Sequence, residues 1–374
     1  VNRPGADAKR AGTWLLSAYR ADSHAAWADW LVAAFEDLEW RRFELPGRHF
    51  AWRIRGNPLS WLDVLADGPP PERLVATSMV DLATVRGLHP RLAQVPALLY
   101  FHENQFAYPR SERQVTSIEP QLVQVYAALV ADRVAFNSDY NRHTFLAGVN
   151  ELKKRMPDGV PDGLADRIER KSRVLPVPIE PIEPTIEPAA DRDPCLIVWN
   201  HRWEYDKHPE RFAEAMLALA DSGVQFRLAL LGARPKSVPE PLKLLRDRLP
   251  DRIVADGLLA RDEYRALLAR AGIAVSTSAH EFQGLAMLEA ASAGCIPLVP
   301  DALVYPEIYP EEYRYPAGDV QALVERLRQW LAGAAPGPVD VEAWTARALE
   351  PKWRAELLDE NTRLYEALIR SRDA

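Results

Sequence analysis

Cysteine is nearly absent: 374 residues hold two, Cys195 and Cys295. Each lies in or against an apolar run that reads as a buried strand, so both are expected as small core residues rather than a disulfide or a metal pair. No apolar run approaches the length needed to span a bilayer, and the opening VNRPGADAKRAG has no apolar core of the signal-peptide kind. A cytoplasmic protein without membrane contact is therefore expected. Neither G-x-x-x-x-G-K-[ST] nor G-x-G-x-x-G occurs, which removes the fingerprints of a P-loop nucleotidase and of a simple dinucleotide dehydrogenase. His102-Glu103 and His280-Glu281 each begin like the zinc motif H-E-x-x-H and lack its second histidine. Asp191-Arg192-Asp193 has the D-x-D shape of a cation-holding motif, but it sits in a proline-rich stretch and reads as solvated charge. No metal site is expected.

What is present is ordinary for a soluble globular chain: 48% hydrophobic and 26% charged residues, at a length that allows two domains with their own cores. The net charge of −7 argues against a protein that coats nucleic acid over its whole surface. The acidity is one-sided. Residues 1–185 hold 23 Lys+Arg against 23 Asp+Glu, and 186–374 hold 23 against 30.

Along residues 13–178 short apolar runs alternate with helical patterns. Strands are expected at Trp14–Tyr19, Leu74–Thr77, Leu98–Phe101, Val134–Phe136 and Val174–Val177. A helix is expected from Ser23, its N-cap, with Ala26, Trp30, Ala33 and Ala34 on one side, and another over Gln121–Ala131. Residues 1–12 read as a flexible N-terminus and 179–194, rich in proline, as an extended linker. The same rhythm restarts over 195–350. Strands are expected at Leu196–Trp199, Arg227–Leu231, Ile253–Ala255, Ile273–Ser276 and Ile296–Val299, and helices at Pro209–Asp221, Glu240–Arg248, Asp262–Arg270 and Gly284–Ala293. A helix at Gln321–Leu331 follows, and a last one, Lys352–Ile369 within 351–374, is free to return to the first domain. Such alternation implies an α/β fold of two doubly wound, Rossmann-like domains facing across a cleft, with ligands beyond the carboxyl ends of the strands. His102, Glu103 and Asn104 fall at one such end, and Asn137 and Ser138 at another.

The second domain is organised around Ser276–Val299, STSAHEFQGLAMLEAASAGCIPLV. A strand end leads into a loop with Glu281, and a helix opens at Gly284 and carries Glu289. Unpaired N–H groups and the positive dipole end at the helix start favour an anion, and Gly284 lets one approach the backbone. Two carboxylates beside an anion site read as acceptors for hydroxyls on the phosphate's cargo, which points to a nucleotide-sugar. The alternative is an ordinary helix N-terminus. His201, Arg202 and Lys207 follow the strand Leu196–Trp199, and the fork donor and point charge of Arg202 and Lys207 suit a diphosphate. The alternative there is a solvated first turn. In the first domain, Trp40–Gly56 packs Arg41, Arg42, Arg48, Arg53 and Arg55 among Trp40, Phe43, Phe50 and Trp52, the mixture that stacks on unpaired bases and grips phosphates. A surface hairpin is its structural alternative. Lys153-Lys154-Arg155 is a weaker candidate of the same kind.

These residues carry a resemblance. His280-Glu281-Phe282 through Glu289 is similar to the E-x7-E signature of retaining GT-B glycosyltransferases of the family 4 type, and Arg202 with Lys207 to their diphosphate-binding pair. FHENQFAYP at 101–109, FNSDYN at 136–141, NHRWEYDKHPE at 200–210, HEFQGLAMLEA at 280–290 and LVYPEIYP at 303–310 resemble the tRNA-queuosine alpha-mannosyltransferase group, with similarity spread from Leu15 to about Tyr315. The resemblance implies transfer of mannose from GDP-mannose to queuosine in the anticodon of aspartate tRNA; no metal or other cofactor is implied, and no obligate protein partner is inferred. It implies that Glu281 hydrogen-bonds the donor sugar with the N–H groups of Phe282, Gln283 and Gly284 beside it. Glu289 would then hold the ribose, Arg202 and Lys207 the diphosphate, and His102 would sit near the transferred sugar. Ser23 and His24 match the group's first loop, but Arg20, Ala21 and Asp22 stand where it carries glycines. Two other readings remain open: a family 4 transferase with a lipid or small-molecule acceptor, and a module that binds a sugar nucleotide or tRNA without turnover.

Overall fold

A computed structural model describes residues 12–108, 117–156, 158–182, 192–234 and 237–358. The N-terminal segment 1–11, most of the proline-rich stretch including Asp191, and the expected helix beyond Leu358 lie outside the described residues. The chain divides into two compact units, the described parts of 1–177 with 347–374, and 178–346.

The first unit runs β1 (Thr13–Arg20), α1 (Asp22–Ala34), β2 (Trp40–Pro46), α2 (Phe50–Ser60), β3 (Arg73–Thr77), α3 (Leu82–Leu88), β4 (Ala97–Phe101), α4 (Glu119–Val130), β5 (Arg133–Phe136), α5 (Asp139–Arg155), α6 (Leu164–Glu169) and β6 (Ser172–Val174). Its sheet has the order β2-β1-β3-β4-β5-β6, every pairing parallel. Helices cover both faces, so β1, β3, β4 and β5 read as almost unbroken apolar runs.

Four local expectations are corrected. Helix α1 begins at Asp22, with Ala21 at the cap position and no side-chain cap bond, rather than being capped by Ser23. Its buried face is His24, Trp27, Ala28 and Leu31, continued by Phe35, whereas Ala26 and Ala33 are exposed. Burying Trp27, Leu31 and Phe35 removes far more apolar area from water than burying alanines, and that sets the helix rotation. Strand β2 replaces the hairpin alternative: WRRFELP forms the sheet edge and buries Phe43. Strand β6 ends at Val174 rather than beginning there, since Pro176 and Pro178 have no N–H for a ladder.

The second unit runs β7 (Asp193–Trp199), α7 (Pro209–Asp221), β8 (Arg227–Leu231), α8 (Glu240–Arg248), β9 (Ile253–Gly257), α9 (Arg261–Arg270), β10 (Ala271–Val275), α10 (Leu285–Ser292), β11 (Ile296–Pro300), α11 (Tyr305–Ile308), β12 (Arg314–Tyr315) and α12 (Val320–Gln329). The sheet order is β12-β11-β10-β7-β8-β9, again parallel throughout. Strand order reverses between β10 and β7, so the loops after these two strands flank a topological switch point, where open α/β sheets hold their ligands. Arg192 and Asp193 are not solvated charge: Arg192 donates to the carbonyls of Ala271 and Ala293, and Asp193 opens β7 paired with Arg227. Both cysteines are free, but only Cys295, just before β11, is buried in the core as expected, where burial pushes its thiol up to about 12; Cys195, near the start of β7, is half-buried.

A last helix, α13 (Ala346–Leu358), packs on the first unit through Trp353, which is fully buried. Its ring meets those of Trp27, Trp30 and Tyr100, and its Nε1 donates to Pro176 O at 3.0 Å.

Candidate active site

In the second unit the loops after β7 and β10 are tied together by hydrogen bonds. Thr277 Oγ1 donates to Lys207 O at 2.8 Å, and Ala279 N donates to Asp206 O at 2.9 Å. The chain leaves Lys207 through His208 in the left-handed region (φ 48°) and enters α7. This geometry turns the Lys207 side chain inward, where Nζ donates to His280 O at 2.6 Å and lies 3.3 Å from both Glu281 Oε2 and Asp206 Oδ2. One buried ammonium thus faces two carboxylates.

The charges respond accordingly. Burial alone would push the Glu281 carboxyl up, but Lys207 and the Gly284 N–H outweigh it and hold the group at about 2. Burial would lower Lys207, yet Glu281 and Asp206 raise it. Asp206 is likewise pulled well below the usual carboxylate range against the effect of its burial, by His280 and Lys207. Burial and Lys207 lower His201 to about 4, so its imidazole is neutral at pH 7. Arg202 stands more open, about half exposed, with its guanidinium 3.2 Å from Glu204.

The loop from Glu281 turns on itself before α10. Glu281 Oε1 accepts from the N–H of Phe282 at 3.2 Å and of Gln283 at 3.4 Å. Gly284 takes φ 73° at the cap of α10, and a Cβ there would lie 3.1 Å from the Tyr305 ring, so this turn requires glycine. Within α10, Glu289 Oε2 accepts from Tyr264 OH at 3.0 Å, and that hydroxyl accepts from Asn200 Nδ2 at 2.9 Å. Burial raises the Glu289 carboxyl even though the Tyr264 hydrogen bond opposes it. Arg202, Lys207, Glu281 and Glu289 therefore lie on the two loops and the helix at one switch point. Asp206, Asn200 and Tyr264 join them unforeseen. Asn200 follows a strand end and was open to notice, whereas Tyr264, on the polar helix α9, carries no signal in the letters.

In the first unit, His102 follows β4 and is buried, its ring stacked on His24 at 4.2 Å and edge-on to Trp27 and Tyr100. Burial, then His24, hold His102 well below its ordinary range, so the imidazole is neutral. His24 Nδ1 donates to Tyr19 O at 2.8 Å, which fixes its tautomer. Asn137 donates to His102 O at 2.9 Å and accepts from Asn141 Nδ2 at 2.8 Å, so it fastens the ends of β4 and β5 together. Arg20, which stands in place of a glycine, forms ion pairs with Glu44 and Asp29. Gly47 packs tightly on this turn, since a Cβ there would lie 2.7 Å from Arg20 O.

The arginine-aromatic stretch is sorted by the fold. Arg41 lies over the Phe43 and Trp14 rings, Arg42 pairs with Asp29 and Glu44, and Arg55 pairs with Asp81 at 2.5 Å. These three have partners within the first unit. Arg48 and Trp52 are exposed, and Arg53 is half-buried and, among the described residues, reaches only Ser60 Oγ at 3.4 Å. Lys153 and Lys154 pair with Asp162 and Glu151.

Comparison with known proteins is consistent with this arrangement. Residues 12–179 match the tRNA-queuosine alpha-mannosyltransferase N-terminal family, and residues 194–333 the family of glycosyl transferases group 1. The tRNA-queuosine alpha-mannosyltransferase of Drosophila melanogaster is 33% identical over 322 residues, covering 84% of this chain and 85% of the fly protein. Among solved structures, sucrose-phosphate synthase from Thermosynechococcus elongatus superposes with a TM-score of 0.66 at 14% identity, over 96% of this chain and 99% of its own. A lipopolysaccharide outer core galactosyltransferase superposes with 0.65 at 13% identity, over 93% and 99%. The fold is the two-domain GT-B fold of glycosyltransferases, and the chain belongs to the tRNA-queuosine alpha-mannosyltransferase family.

Proposed function

We propose that the protein transfers mannose from GDP-mannose, with retention of anomeric configuration, to queuosine in the anticodon of aspartate tRNA, in the cytoplasm and without a metal ion. The observation that carries the donor half is the Lys207–Glu281 pair at the switch point of the second unit. A diphosphate needs fixed positive charge as the glycosidic bond breaks, and Lys207 with Arg202 provides it where low polarity strengthens the interaction. Glu281 trades its contact with Lys207 for the sugar hydroxyls, and Asp206 remains as the lysine's counter-ion. Glu289, held by Tyr264, takes the ribose hydroxyls. The acceptor half rests on family membership and on the matching N-terminal region. Neutral His102, next to His24, suits a hydrogen bond to a sugar hydroxyl rather than a charge on the leaving group.

The test is to offer tRNA with GDP-mannose, UDP-glucose and UDP-galactose separately, digest the product to nucleosides, and read the anomeric coupling of the new sugar by NMR. An α-mannosyl nucleoside formed from GDP-mannose alone supports the reading. A β product, or transfer from a uridine nucleotide, overturns it.

A further inference from the structure

Helix α2 exposes an unusual face. Trp52, Arg55 and Leu59 are all exposed and recur at helical spacing, and Leu62 is exposed just beyond the helix end, where a soluble protein normally shows charged and small polar residues. Trp52 is 54% exposed, and its position is built. Gly56, one turn on, has no side chain, and a Cβ there would meet the Trp52 ring at 2.4 Å. The indole therefore lies against the helix backbone at Gly56, with its other side open to solvent. Glycine in a helix interior is unfavourable relative to alanine, and Gly56 has a conformation that any residue adopts. Its use here is to seat the ring.

Charge in the segment that carries the ring is mostly of one sign. Residues 40–56 hold five arginines against a single acid, Glu44, and Glu44 is already taken by Arg20 and Arg42. Arg48 has no carboxylate partner among the described residues, and Arg53 has only the Ser60 hydroxyl. A flat, half-open indole on a segment whose Arg48 and Arg53 lack carboxylate partners among the described residues matches an unpaired base and its phosphates, since any base offers a π face and the arginines answer the backbone. A protein partner would call for acids facing these arginines, and nothing in the local apolar stripe distinguishes one.

We propose that Trp52, seated on Gly56, is a stacking platform for an unpaired base of the RNA substrate, with Arg48 and Arg53 gripping the adjacent phosphates. The inference rests on the tRNA reading and adds the place and manner of RNA contact.

The test measures equilibrium binding of tRNA to the full chain without donor, over a series of salt concentrations, for the parent, Trp52→Ala, Gly56→Ala and Arg48→Glu. Trp52→Ala is expected to weaken binding about tenfold, in line with the loss of one base stack. Gly56→Ala is expected to weaken it similarly while the unfolding midpoint stays at or above the parent's, because alanine favours the helix and only the ring is displaced. Arg48→Glu should lower the slope of log affinity against log salt by about one or more. Parent-like affinity in both Trp52→Ala and Gly56→Ala overturns the platform, whether or not mannose is transferred to tRNA. Weakened binding by both variants sustains it even if no tRNA is mannosylated, in which case the proposed activity fails alone.

Discussion

Lys207 Nζ sits 3.3 Å from Glu281 Oε2, and the same nitrogen sits 3.3 Å from Asp206 Oδ2. The lysine is thus charged and aimed before any donor arrives, and it has one more carboxylate than it needs. Glu281 is then able to turn to a sugar without leaving Lys207 unpaired in a buried site.

Lys207→Ala should lower kcat/KM for GDP-mannose by roughly 10²–10³, by analogy with removal of an oxyanion-stabilising donor. It also leaves two buried carboxylates facing each other, so the unfolding midpoint should fall. Adding Asp206→Asn to Lys207→Ala should recover much of the midpoint and none of the rate. Recovery of both would mean that the lysine acts only on stability.

The Glu281 carboxyl gives a signed pH dependence. Its folded value of about 2 lies below the ordinary 4.5, so its stabilising contribution is complete above about pH 4.5 and is lost as pH falls toward 2. Glu281→Gln should flatten the acid limb of the unfolding midpoint over that window. Calorimetry between pH 2 and 6 checks it, and superimposable curves would contradict the assignment.

Glu289 has the opposite sign. Its folded carboxyl is raised by burial, so its contribution is most favourable at low pH and is lost as pH rises through the folded value. Glu289→Gln is expected to raise the midpoint at pH 7 while weakening donor affinity about tenfold. Tyr264→Phe, which deletes one hydrogen bond to Glu289, should raise KM about three- to tenfold with little change in kcat, on the order of 1 kcal/mol. Kinetics and calorimetry on the same preparations separate the two effects.

Trp353 ties α13 to the first unit through Trp27, Trp30 and Tyr100. Trp353→Ala should cost about 3–5 kcal/mol, the usual range for a fully buried tryptophan. Because Trp27 also packs on His102, the lesion should reach the His24–His102 stack. Denaturant unfolding gives the first quantity, and histidine NMR shifts give the second.

Much of the fold was legible because the strands of a sheet covered on both faces advertise themselves as apolar runs. Arg227–Leu231, Pro209–Asp221 and Glu240–Arg248 appear with the bounds their patterns imply. Strand β2 was not legible, since an edge strand burying little beyond Phe43 is written in arginine. The rotation of α1 was hidden because a buried histidine reads as polar, and His24 enters the core by stacking on His102 and donating to Tyr19 O. In the site, charged residues at strand ends were visible by type and place. The Asn200–Tyr264–Glu289 relay was not, because it joins three segments far apart in sequence. Of the five arginines between residues 40 and 56, spacing alone could not separate those answered by Asp29, Glu44 and Asp81 from those left open to solvent.

The most direct measurement is transfer of labelled mannose from GDP-mannose to purified tRNA containing queuosine, beside the same tRNA lacking it, with Glu281→Gln as a third arm. Incorporation only into queuosine-containing tRNA, abolished or cut at least a hundredfold in the variant, is the result predicted here. Equal incorporation into both tRNAs, or none into either while a lipid or small molecule is mannosylated, would contradict it.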